Sequence, residues 1–145
     1  MVYILKCLVM NSKKLNTGSF PILNQDFALL VLRIWAGLSL FVKHGIEKFM
    51  DFPGMLKHFP DPIHIGATPS LIFALISDAI CSILIAIGLF TRIAAAFEII
   101  NLFVIFLLLH SFSFMQEHAE IVYLYLGIYL TIFLSGPGKY SLDKR

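Results

Sequence analysis

FALLVLRIWAGLSLFV, residues Phe27–Val42, is an apolar run of membrane-helix character with one charge, Arg33, set inside it. A charge at the centre of a membrane helix costs about 2.5–3.5 kcal/mol on insertion scales. Two later apolar runs each carry one acid, Asp78 and Glu98. Three such costs in one short chain point to charges that face one another within a bundle. The segment therefore predicts an all-α integral membrane protein with a polar pocket between its helices.

Composition agrees. The 145 residues are 59% hydrophobic and 14% charged, and their mean hydropathy is +0.86. Globular chains carry about 25% charged residues. The net charge of +2 is small and the cations lie near span ends, so nucleic-acid binding has no support. Cys7 and Cys81 form neither a CxxC pair nor a metal-ligand spacing. No metal site, haem-ligand motif or flavin fingerprint is legible.

Crossing the hydrocarbon takes about 20 helical residues. Four segments are predicted to do so: Phe27–Met50, Leu71–Phe90, Ile93–Leu109 (its one charge being Glu98) and Ala119–Ser135. Thr91-Arg92 reads as a tight turn, and Asp51–Pro69, with Pro53, Pro60 and Pro62, as the longest loop. Gly136-Pro137-Gly138 stops the last helix. Residues 1–25 form a cytoplasmic or interfacial tail ahead of a single domain, 26–145. Lys6, Lys13, Lys14, Arg92, Lys139, Lys144 and Arg145 put seven cations on the side of both termini, against Lys43, Lys48 and Lys57 on the other. Both termini are therefore expected in the cytoplasm.

Helical spacing groups the polar residues. Arg33, Gly37, His44 and Lys48 share one face of the first span. Arg33 and Glu98 match in depth, which predicts an Arg33–Glu98 pair with Asp78 nearby. Such a pair can serve only to fix helix register; alternatively one acid exchanges protons, or Asp78 stays protonated beside Ser77 or Ser82. A second polar cluster is expected at the outer end from His44, Lys48, His110 and Glu120, as a proton relay or polar lining. Lys48 alone reads equally well as an interfacial anchor. Glu120, Gly127 and Thr131 share a face of the last span, where Gly127 would permit close helix approach. Tyr125 and Tyr129 turn elsewhere.

The run Arg33-x3-Gly37-x6-His44-Gly45-x2-Lys48, the turn Gly88-Leu-Phe-Thr-Arg92, the late His110 and the ending Gly136-Pro-Gly-Lys-Tyr-Ser-Leu-Asp143 together resemble the DoxX-like family of four-helix bacterial membrane proteins. The resemblance covers roughly Asp26 to Asp143. Asp78 stands where many members carry a glutamate, and the tail Met1–Gln25 is longer than usual. The resemblance implies a multi-pass protein of the bacterial inner membrane, in contact with the bilayer and linked to redox chemistry. No cofactor is evident from the residues themselves; the resemblance allows a quinone as ligand, a membrane or peripheral redox partner that supplies electrons, and homo-oligomers. The chain would then be a non-catalytic subunit rather than a complete enzyme. The alternative is an assembly or chaperone-like membrane protein with no catalysis of its own.

Overall fold

The computed structural model describes residues 24–109, 113 and 118–143. Every regular element among them is helical. Helix α1 runs Gln25–Met50, α2 is the short Phe52–Leu56, α3 runs Ala67–Ile87, α4 Thr91–Leu109 and α5 Ala119–Ser135. Three of them, α1, α3 and α4, are long and apolar enough to cross a membrane, and α5 is a shorter apolar helix of 17 residues.

Local chemistry sets the ends. The Asn24 side chain accepts from Phe27 N–H and starts α1, satisfying one of the donors that every helix start leaves free. Asp51 accepts from Gly54 N–H and starts α2, where Pro53 fits the first turn. Gly88, in the left-handed region, ends α3. The turn is thus Gly88–Phe90, and Thr91-Arg92, expected in the turn, already belongs to α4. Helix α5 stops at Gly136, where the sequence places its stop.

Helix α1 packs on α3, α3 on α4, and α4 on α5. The core is Ala36, Leu40, Cys81, Ile85, Ala94, Ala95, Leu102, Tyr129 and Ile132. Small residues bring the backbones close. A Cβ on Gly37 would lie 2.5 Å from Ser82 O, and one on Gly45 would lie 2.7 Å from Asp78 O. Outward faces are apolar, with Trp35, Val42, Phe49, Ile80, Ile93 and Leu124 exposed. In water such faces would be a liability; against lipid tails they are the ordinary boundary.

Gly127 departs from its expected role. Nothing lies within 4 Å of a Cβ built there, and Glu120 and Thr131 on the same face are exposed. Tyr129 fills the bundle instead, fully buried, with its hydroxyl donating to Ala36 O at 3.1 Å. A buried phenol needs such a partner.

Three π-helical turns interrupt the long helices: Phe41–Gly45 in α1, Ile76–Cys81 in α3 and Ile105–Leu109 in α4. Such turns re-aim side chains and concentrate at functional sites. The turn in α3 carries Ser77 and Asp78, and the one in α1 lies just before Lys48.

Candidate functional site

The buried polar residues divide into two nodes. In the first, Lys48 Nζ donates to Asp78 Oδ2 at 2.6 Å, an ion pair with both side chains nearly closed off from solvent. Asn101 Nδ2 donates to the other carboxylate oxygen, Asp78 Oδ1, at 2.9 Å. One turn back along α4, Glu98 is fully buried and receives two serines of α3. Ser77 Oγ lies 2.8 Å from Glu98 Oε2, and Ser82 Oγ lies 3.1 Å from Glu98 Oε1. Ser82 Oγ also donates to the main-chain oxygen of Asp78, which joins the two acids through α3.

The second node surrounds Arg33, which is fully buried. Its Nη2 donates to Tyr140 O at 2.6 Å. Residues 136–143 double back beneath the bundle as a strap. Asp143 Oδ1 accepts from Phe90 N–H at 2.7 Å, and Oδ2 from Thr91 N–H at 2.8 Å, so the carboxylate caps α4. Asp143 N–H donates to Gly88 O at 2.8 Å, and Lys139 N–H to Asp26 Oδ1 at 2.8 Å. The Asp143 charge acts on the Arg33 guanidinium.

The expected Arg33–Glu98 pair does not form. Side chains of a helix lean toward its N-terminus, which carries the guanidinium down to the strap. There Tyr140 O accepts from Nη2 and the Asp143 charge lies nearby, while Nε and Nη1 have no hydrogen-bond partner among the described residues. Two serine hydroxyls satisfy Glu98 in its place. Asp78 is likewise not left to the serines; it takes Lys48. Along α1, Arg33 and Lys48 are about 22 Å apart at the helical rise, so they belong to separate sites.

The expected outer cluster also divides. Lys48 turns inward to Asp78 rather than toward the interface. His44 is half-buried and near enough to Lys48 and Asp78 to feel both charges. Glu120 and His118 are exposed at the start of α5. His110 lies outside the described residues, as does most of the tail.

Sequence reading overlooked Asn101 and Asp143 as members of these nodes. Asn101 was legible: it lies three residues after Glu98, on the same helical face of an otherwise apolar run. Asp143 was not, since its partners are backbone groups more than fifty residues away.

Above the first node lies a cavity of about 480 Å³. Lys48, Asp78 and Asn101 form its polar floor, and its walls are apolar, among them Phe73, Ile100 and Ile105. The loop after α2 closes over it with Pro60 and Pro62. Asp61 holds that loop by accepting from Ile65 N–H, Gly66 N–H and Ser70 Oγ at 3.1, 2.7 and 3.0 Å.

The strap supports a pH prediction. Desolvation would raise the Asp143 carboxyl, yet the N–H donors of Thr91 and Phe90 outweigh it and hold the group below its ordinary 3.8. A depressed value stabilises the docked strap fully above that pH and loses the contribution as pH falls through the folded value. Protection of the Phe90 and Thr91 amides, measured against their intrinsic exchange rate at each pH, should therefore fall in strong acid. Asp143→Asn should exchange faster than the parent at neutral pH and converge with it in acid. Parallel curves across the whole range would show that the carboxylate is not the clasp.

These features define a helical membrane protein with a charged network buried between its spans. Residues 28–111 match the DoxX family model, more than half of the chain, and the protein belongs to the DoxX family. It is 29% identical over 127 residues to a Haemophilus influenzae protein described as uncharacterized, covering 83% of this chain and 92% of that one. No solved structure matches.

Proposed function

We propose that the chain is a quinone-linked subunit of a membrane redox assembly, and that the cavity above Lys48, Asp78 and Asn101 receives the quinone ring. The observation that carries this reading is one largely apolar cavity with an ion pair and an amide at its floor. Its volume lies within the roughly 300–1,000 Å³ of small-molecule sites, which combine apolar walls with a few polar groups that fix orientation. A quinone ring has that same division, with a flat apolar body and two carbonyl acceptors. The Lys48 ammonium keeps donors beyond the one given to Asp78, and the Asn101 amide keeps one more; both can face a ring carbonyl. Asp78 is placed to pass protons, and His44 offers a route outward. Electrons would come from a partner protein. Arg33 bonds to the strap, does not line this cavity and takes no part.

Four crossings, with α5 as the fourth, and both termini in the cytoplasm complete the reading. Turning Lys48 inward removes one cation from the opposite side and strengthens the charge asymmetry that favours this orientation.

The test is extraction of the purified protein. Bound quinone near one per chain is expected. Ala74→Phe, which fills the cavity from the buried Ala74 on its wall, should abolish it while leaving the helical circular dichroism unchanged. Asn101→Leu should weaken binding about tenfold, the worth of one hydrogen bond lost from a desolvated site. Quinone-free protein that co-purifies with another membrane protein would sink this reading in favour of an assembly role.

A further inference from the structure

At the strap end of the bundle, a second cavity of about 510 Å³ opens between the start of α4 and the end of α5. Its lining includes Arg92, Ser135 and Asp143 with the apolar Phe90, Ile93 and Pro137. We propose that this groove binds the phosphoethanolamine headgroup of a membrane lipid, with the phosphate on Arg92 and the ammonium on Asp143.

The argument starts from two opposite charges that line one groove without pairing. Asp143 is fixed by the amides of Phe90 and Thr91. Arg92 is exposed and rests beside the Gly136 backbone, where a Cβ would lie 3.2 Å from its Nη2. Asp143 is held by those two amides and Arg92 makes no ion pair with it, which leaves a gap with a cation on one side and an anion on the other. A zwitterion fills such a gap with both charges matched. Each Asp143 oxygen has accepted one amide and keeps a further lone pair for an ammonium N–H. The Arg92 fork suits a phosphate, and Ser135 adds a hydroxyl at the rim.

Place selects a lipid over a soluble zwitterion. Phe90, Ile93 and Leu134, at these helix ends, are strongly exposed and apolar. The groove thus sits where the hydrocarbon gives way to headgroups, and acyl chains can lie along that apolar surface. The amine is selected because a primary ammonium donates hydrogen bonds to a carboxylate, whereas a quaternary ammonium has no N–H to give. None of this depends on the quinone reading, since the two cavities lie at different ends of α4.

The test is native mass spectrometry of the full chain released from nanodiscs holding equal parts phosphatidylethanolamine, phosphatidylglycerol and phosphatidylcholine. Phosphatidylethanolamine should be retained about tenfold over the other two, the worth of one charge-assisted hydrogen bond. Arg92→Gln changes an exposed side chain and should fold normally, yet it should reduce that retention by a similar factor. Asp143→Asn should remove the preference for ethanolamine over glycerol. Equal retention of all three lipids, a preference for phosphatidylglycerol, or phosphatidylethanolamine retention unchanged in Arg92→Gln would each overturn the proposal.

Discussion

Lys48→Met is expected to cost about 3–5 kcal/mol of stability, because it strands the Asp78 carboxylate in the interior with one amide as its remaining side-chain donor. The pair itself is not worth that much. Moving both charges out of water offsets most of their attraction, so removing both partners together is far cheaper than removing one. Lys48→Met combined with Asp78→Asn should accordingly regain most of the loss. Thermal unfolding in detergent, followed by circular dichroism, reads both variants and the double mutant. A single variant as stable as the parent would mean that Asp78 has another means of compensation and that α1 and α3 are not locked by this pair. A double variant as unstable as the single would locate the damage in packing rather than in charge.

Gly88→Val should be comparably severe at the other end of the bundle. Gly88 adopts φ of +77°, a conformation that costs an ordinary L residue about 1–2 kcal/mol. Space is also lacking. The new Cβ would collide with Arg33 Nη1 and lie 2.6 Å from Ser141 Cβ. Overpacking a filled site costs about 1–3 kcal/mol more, giving a total of about 2–5 kcal/mol. The strap rather than the spans should give way, because it docks through Gly88 O and a few polar contacts while the spans share the apolar core. Limited proteolysis should then remove the C-terminal residues from the variant and spare them in the parent. A strap equally resistant in both proteins would show that the Gly88 contact does not hold it.

The same geometry decides how substitutions at Arg33 and Glu98 combine. An Arg33–Glu98 pair predicts that Glu98→Gln rescues Arg33→Leu. With Arg33 bonded to Tyr140 O and Glu98 to Ser77 and Ser82, the two changes should act independently, each adding its own loss.

Much of the architecture was readable from the chain. Long apolar runs fix their own state, since a backbone placed in lipid must satisfy its hydrogen bonds internally and a helix does so within the segment. Hence α1, α3 and α4 occur close to where the runs lie, and the Gly136 stop holds because a glycine at positive φ with extended ψ ends α5 there. The inward direction of Arg33, Asp78 and Glu98 was equally legible, as charges facing lipid are too costly. Lys48 was harder to place. A lysine near a helix end can reach the interface or turn inward, and only the presence of Asp78 across the close contact at Gly45 settles the choice.

Sequence alone thus determined which long segments are helices and that Arg33, Asp78 and Glu98 are hidden, because both follow from the transfer of single residues into hydrocarbon. The short α2, inside the expected loop Asp51–Pro69, and the burial of Lys48 did not follow from it. The tertiary structure alone decided who meets whom: Lys48 with Asp78 and Asn101, Glu98 with two serines, Arg33 with a returning strap. Pairing depends on helix rotation, on π-helical turns that shift the face by a fraction of a turn, and on a loop of chain that folds back after the last helix. None of these is a property of a residue and its near neighbours; each is fixed only when the helices pack.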